Sequence, residues 1–235
     1  MSLQGIFPLD KWDFKSRSIL PDLPKEDFNM LTRHQSLHTY GKGEVIFREG
    51  AYPTGIFYIR TGMAKKYKVD ADGKEQIIYV AKSGELIGYH AILSEDRYPD
   101  SAAAMEKSIV AFIPREDFLE TVQKSDVLSK RLLKTLSHEF AVMINSLTLY
   151  AQRTVRERLA LQLVLLREKY KQQAQPGQPV EINWSRDDLA SLVGTARENV
   201  VRMLTEFKEA GILETRGRKI VVHDVRKLVE ISNYR

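Results

Sequence analysis

The sequence contains no cysteine. That excludes a disulfide frame, a thiol nucleophile and any iron–sulfur or zinc site built on cysteine ligands. No uninterrupted apolar run approaches the roughly 18 residues that a membrane span requires. The first residues carry no basic-then-apolar leader pattern, so the expectation is a cytoplasmic chain without membrane contact. Nor is one sign of charge in large excess: 36 Lys and Arg stand against 31 Asp and Glu, a formal net charge of +5. That small surplus is localised. Residues 151–235 hold 16 basic and 11 acidic side chains, leaving 20 of each in residues 1–150. Enzymatic signatures are missing too: there is no phosphate loop, no metal-spaced His/Asp/Glu cluster and no nucleophile–base arrangement. Asp96 and Asp100 are close in sequence but read as surface carboxylates of a polar loop.

The residues that are present centre on 185–208, SRDDLASLVGTARENVVRMLTEFK. Ser185 and Asp188 form an S-x-x-D capping pattern at a helix start. Leu189, Ala190 and Leu192 give that helix an apolar side. Val193, Gly194 and Thr195 make a turn in which the glycine can take the positive φ that ends a helix. Thr195 with Glu198 repeats the capping pattern as T-x-x-E and opens a second helix. Val200, Leu204 and Phe207 recur at helical spacing and face the first helix. Arg197, Glu198, Val201 and Arg202 are left outward, near the second helix's N-terminus.

Two capped helices meeting at a glycine predict a helix-turn-helix, whose second helix enters a major groove N-terminal residues first. Arginine pairs bidentately with guanine, and a glutamate carboxylate accepts from the cytosine amino group. The bland alternative is an αα-hairpin in which Glu198 only caps and the arginines are solvated. The next stretch of chain favours DNA. Residues 211–222 place two short apolar runs about a basic turn at Gly217, a β-hairpin that reads as a wing. Arg216, Arg218 and Lys219 at its tip suit phosphate contact. The positive surplus falls on this same segment.

Earlier in the chain, residues 25–34 predict a short helix with Phe28 and Leu31 inward. From Thr39 to Pro114, short β-rich runs alternate with glycines, the pattern of a small barrel or roll. Residues 115–122 predict a short helix, and residues 126–150 one long helix striped by Leu128, Leu132, Leu136, Phe140, Met143 and Leu147. Such a stripe is often ordinary core. Here the helix is too long for the roll alone to cover, so a parallel dimer seam through Leu132, Leu136, Phe140, Met143 and Leu147 is expected. A further helix over 155–171 with Leu159, Leu163 and Leu166 inward, a polar QQAQPGQP loop over 172–179 and a final helix from Val225 complete the reading.

This order resembles the CRP/FNR family of bacterial transcription regulators, over roughly residues 20–223. The specific points are GEVIFREG at 43–50, GELIG at 84–88, the helix-turn-helix and the GRKIVV wing. Arg197, Glu198 and Arg202 match the family's base-reading Arg-Glu-x-x-x-Arg, and Ser185 and Arg186 match its phosphate-contacting positions. The resemblance implies a half-site of the TGTGA type and regulation through the helix junction near residues 152–154. The effector pocket departs from the cyclic-AMP pattern. Tyr89, after Gly88 and before His90, stands where the family holds a ribose hydroxyl with glutamate. Asp100, before Ser101, stands where it pairs arginine with the cyclic phosphate, and Arg97 is the nearby cation. Met143 and Ile144 fall where a polar pair reads adenine. These departures argue against cyclic AMP. The family's iron–sulfur sensor is excluded by the absent cysteine, and haem stays open through His34, His38 and His90, each more simply structural.

The expected fold is α+β in three parts: a β-roll sensor domain of the cyclic-nucleotide-binding jelly-roll type over 1–125, a dimerisation helix over 126–152 and a winged helix-turn-helix over 153–235. The expected function is a homodimeric, sequence-specific regulator on a palindromic site. Its partners are double-stranded DNA, RNA polymerase and an unidentified small-molecule effector, with no metal. The alternative is a regulatory or scaffolding module of the cyclic-nucleotide-binding type that never binds DNA.

Overall fold

The computed structural model describes residues 3, 7–171 and 179–234, so all of the QQAQPGQP loop except Pro179 lies outside the described residues. Contacts divide the chain into Phe14–Phe140 and a second unit of Met1–Asp13 with Ala141–Arg235. This division runs through the long helix and assigns the first residues away from the roll.

The Phe14–Phe140 unit begins with helix α1 (Lys25–Leu31) and strands β1 (Ser36–Tyr40), β2 (Val45–Phe47), β3 (Gly55–Thr61), β4 (Met63–Val69), β5 (Glu75–Lys82) and β6 (Leu86–Ile87). Helix α2 (Tyr89–Leu93), strands β7 (Ser101–Ala104) and β8 (Ser108–Pro114) and helix α3 (Arg115–Lys124) come next. The strands make two four-stranded sheets, ordered β1-β8-β3-β6 and β2-β7-β4-β5, with every recorded pairing antiparallel. Apolar strand residues such as Ile59, Met63, Ile77 and Val110 are buried. A second cluster joins Leu31, Leu86, Tyr89, Ile92 and Phe118 of the helices to Ile56 and Ile113. Helix α1 ends earlier than the expected residue 34. The Thr32 hydroxyl donates to the Phe28 carbonyl at 2.7 Å and the His34 amide leaves the helix to bond Asp117 at 3.0 Å.

Helix α4 (Asp126–Gln152) starts at Ser125, whose hydroxyl oxygen accepts from the Leu128 amide at 3.1 Å. Its leucine stripe splits, which corrects the seam expected from the sequence. Leu128 and Leu132 are buried in the roll's core and Leu136 is half-buried against it, whereas Phe140, Met143 and Leu147 are exposed. The reason is angular: each step of four residues precesses by about 40° around the helix, so successive steps of four carry the stripe from one face to another. The exposed apolar face instead comprises Leu133, Phe140, Met143, Ile144 and Leu147.

In the second unit, helix α5 (Val155–Lys171) opens with a reciprocal cap: the Thr154 amide donates to the Glu157 carboxylate at 2.7 Å and the Glu157 amide donates to the Thr154 hydroxyl at 3.3 Å. The Thr154 hydrogen bonds hold the Glu157 carboxyl below its ordinary range. Beyond the expected Leu159, Leu163 and Leu166, Leu161 and Val164 are also buried, because α5 is covered on several sides. Its neighbours are β9 (Glu181–Asn183), α6 (Arg186–Val193), α7 (Arg197–Glu209) and α8 (Val225–Ser232). Strands β10 (Leu213–Arg216) and β11 (Lys219–Val222) complete a three-stranded antiparallel sheet, ordered β10-β11-β9. Trp12 stacks edge-on against Tyr234 with centroids 4.4 Å apart, and Asp13 pairs with Lys169 at 2.8 Å.

One side chain ties two helix ends together in this unit. The Arg158 guanidinium donates to the carbonyls of Val193 (2.9 Å), Gly194 (3.1 Å), Arg153 (3.2 Å) and Tyr150 (3.4 Å). Arg158→Ala should lower the stability of this unit by about 2–4 kcal/mol, since several oriented carbonyls lose a charged donor together. Arg158→Lys should recover only part, because an ammonium cannot span the fork. Urea unfolding of the three proteins checks both. In the roll, a Cβ on Gly55 would come within 2.3 Å of the Ile113 carbonyl oxygen and 2.4 Å of the Phe112 ring. Gly55→Ala should therefore destabilise the roll by about 1–3 kcal/mol, visible as a lowered melting temperature.

Candidate nucleic-acid interface and sensor pocket

The helix-turn-helix is built as its residues dictate. Ser185 caps α6: its hydroxyl oxygen accepts from the Asp188 amide at 3.0 Å, and its hydroxyl bonds the Asp188 carboxylate. Gly194 ends α6 at φ 71°. The expected T-x-x-E cap on α7 is not formed. Ala196 is the N-cap, with no side-chain cap bond, and the Thr195 hydroxyl instead accepts from the Asn199 amide side chain at 3.0 Å. This frees Glu198 from capping. Val200, Met203, Leu204 and Phe207 bury the inner face of α7, while Arg197, Glu198, Val201 and Arg202 are exposed on the outer one.

Two polar neighbours escaped the sequence reading. Asn199 accepts from Arg202 at 3.1 Å, so one amide links the turn to the exposed Arg202 guanidinium. Asp187 lies 3.8 Å from Arg197, both well exposed, a pairing weak enough to yield to a nucleic acid. Neither has a motif; both pairings come from helix placement.

The wing carries the predicted cations, with a different distribution of contacts. Arg216 is held by Glu214 and Lys219 by Glu181, while Arg218 is exposed at the turn between the strands. Arg186, expected to meet phosphate, donates to the wing's Gly217 carbonyl at 3.0 Å. Burial lowers its pKa from the ordinary arginine value.

In the roll, the residues marked for an effector are engaged with one another. Asp100 is not a surface carboxylate, as the sequence suggested. It is buried and paired with buried Lys66 at 3.0 Å, because β4 runs beside β7, which begins at the next residue. Ser101 accepts from the Glu49 amide at 2.9 Å. The Tyr89 hydroxyl donates to Glu139 of α4 at 2.8 Å, and His90 Nε2 lies 2.7 Å from the other oxygen of the same carboxylate. Burial first, and then Glu139, push the Tyr89 phenol far above its usual range, so it stays a neutral donor. Gly88, at the N-cap of α2, packs among Tyr98, Phe57 and Phe47. Arg97 lies over the Tyr52 ring and donates to the Gly50 carbonyl at 2.7 Å. Met143 and Ile144 are 44% and 49% exposed on α4. His34 bonds Asp117 and His38 bonds Ser36. Among the described residues no group of three or more His, Cys, Asp or Glu is arranged to hold a metal, and no helix is long and apolar enough to cross a membrane.

Two family models match the chain: a cyclic nucleotide-binding domain over residues 37–125 and a Crp-like helix-turn-helix domain over 157–231. An anaerobic regulatory protein of Aggregatibacter actinomycetemcomitans is 27% identical, over 81% of this chain and 74% of its own. The transcriptional activator protein anr of Pseudomonas aeruginosa is 29% identical, over 81% and 78%. The structure of FixK2 from Bradyrhizobium japonicum shares the fold, with a TM-score of 0.74 at 23% identity over 84% of this chain and 96% of that one. A β-roll matching the first model, followed by a helix-turn-helix matching the second, makes this chain a DNA-binding, non-enzymatic transcription regulator belonging to the CRP/FNR family.

Proposed function

We propose that the protein binds DNA as a homodimer paired through α4, with two α7 helices entering successive major grooves about 34–36 Å apart on a roughly palindromic site. The observation that carries this reading is the outer face of α7, where Arg197, Glu198 and Arg202 stand exposed together on a helix whose other face is sealed. The arginines supply bidentate donors to guanine and Glu198 an acceptor for the cytosine amino group, consistent with a TGTGA-type half-site. Ser185 and the exposed wing cations meet phosphate, while Arg186 braces the wing. The pairing face is the exposed apolar stripe of α4: Leu133, Phe140 and Leu147 recur every seven residues, with Met143 and Ile144 beside them. RNA polymerase is the macromolecular partner that transcription regulation implies, and the cytoplasm the compartment.

Cyclic AMP is a poor effector for this roll. A cyclic phosphate would meet the Asp100 carboxylate, already neutralised by Lys66, where binding calls for a guanidinium. The relatives' names speak of anaerobic regulation, but without cysteine in these 235 residues a cysteine-held iron–sulfur centre is not the means here. The internal pairs Lys66–Asp100 and Tyr89–Glu139 favour a form that binds its operator without a ligand. Selection from a randomised duplex library at fixed salt, with no ligand added, tests this: a palindrome with half-sites one turn apart is expected, and no enrichment counts against it.

On the selected site, Arg197→Ala should cost about 1–3 kcal/mol while binding to random duplex weakens much less. Fluorescence anisotropy reads both; equal losses would remove the base-reading role. Leu147→Glu places a charge on the exposed stripe without touching the roll's core, and should yield monomers with weakened operator binding. Tight dimers persisting in sedimentation would place the seam elsewhere.

A further inference from the structure

Projected at about 100° per residue, the outer face of α7 runs Arg197, Val201, Thr205, Glu198, Arg202 across an arc of about 140°. Val201 lies inside that arc, between Arg197 and Thr205, and its side chain is apolar among charged and hydroxyl neighbours. It is 44% exposed, whereas Val200 beside it in sequence is fully buried. Core packing therefore does not account for it. Nor does helix formation, since β-branched valine is a weaker helix former than alanine, and an exposed site gains nothing from its branching.

The geometry points to Val201 as a specificity-determining residue that reads the 5-methyl group of a thymine. This rests on the DNA-reading role proposed for α7. In the major groove the thymine methyl is the apolar group that base pairs present, and an apolar side chain is its natural partner. Val201 comes one helical turn after Arg197 and directly precedes Arg202. One turn advances about 5.4 Å along the helix. With base pairs about 3.4 Å apart along each strand, the thymine lies within about two base pairs of the one that Arg197 contacts. The arginines and Glu198 report on guanine and cytosine. Val201 adds a preference at a position where those three have no suitable partner, and removes hydrophobic surface from water only when the methyl is there.

The test uses the full-length protein and the duplex it selects. Each thymine of the half-site is replaced in turn by deoxyuridine, which keeps every hydrogen bond and deletes only the methyl. Wild-type protein should lose roughly three- to tenfold in affinity at one such position, the worth of one buried methyl contact. Val201→Ala should bind the thymine and deoxyuridine duplexes alike at that position. Val201 is exposed, so this variant keeps the core intact, and thermal melting confirms it. Two outcomes overturn the inference while leaving DNA reading in place: wild type binding every deoxyuridine duplex as tightly as thymine although Arg197→Ala still weakens binding to the selected site more than to random duplex, or Val201→Ala still discriminating between them. Failure to select any duplex would overturn the DNA-reading role itself, and this inference with it.

Discussion

The DNA-binding unit depends on one guanidinium. Arg158 sits where two helices run out of intrahelical partners, the C-terminal end of α4 and that of α6. Helix C-termini expose carbonyls and carry partial negative charge, so a cation with a planar fork of donors serves both at once. The Tyr150 hydroxyl adds a bond to the Leu192 carbonyl at 2.6 Å, and the Arg158 fork lies over the Tyr150 ring. The turn of the helix-turn-helix is thereby fixed to the end of α4, the helix whose outer face is proposed to pair. The direction in which α7 points is set by backbone carbonyls as much as by the apolar core beneath it.

The roll shows a different constraint. Its buried charges include Lys66, Asp100, Glu85, Asp117 and Glu139, each with polar partners. A buried charge without a partner is costly, so an ammonium and a carboxylate brought next to each other by adjacent strands satisfy one another. The same holds for Glu139, which takes a proton donor from Tyr89 and a contact from His90. Lys66 with Asp100, and Tyr89 and His90 with Glu139, are thus committed to partners within the protein.

Much of the organisation was legible in the sequence. Glycine-punctuated β-runs gave the roll, and Ser185, Gly194 and the apolar spacing of α7 gave the helix-turn-helix. Alternation and a basic turn gave the wing. Each of these depends on local chemistry: capping, turn formation and the period of the apolar residues. The errors came where a local pattern had two uses. T-x-x-E at residues 195–198 satisfies a capping template, but the backbone starts α7 one residue later at Ala196 and gives Thr195 to Asn199. Asp100 in a polar stretch looked solvent-facing, and its burial comes from the strand beside it, which no local window contains.

The sequence by itself determined the elements, their order and the outward identity of the α7 face, because these depend on periodicity and cap chemistry within a few residues. Tertiary structure alone decided which leucines of α4 face the roll and which stay exposed, since a stripe stepping by four precesses around its helix and only the packed partner shows where it ends. It also decided that Lys66 neutralises Asp100, that Arg186 turns to the wing and that Arg158 gathers two helix ends, because these groups are far apart along the chain and meet only when the strands and helices have found their places.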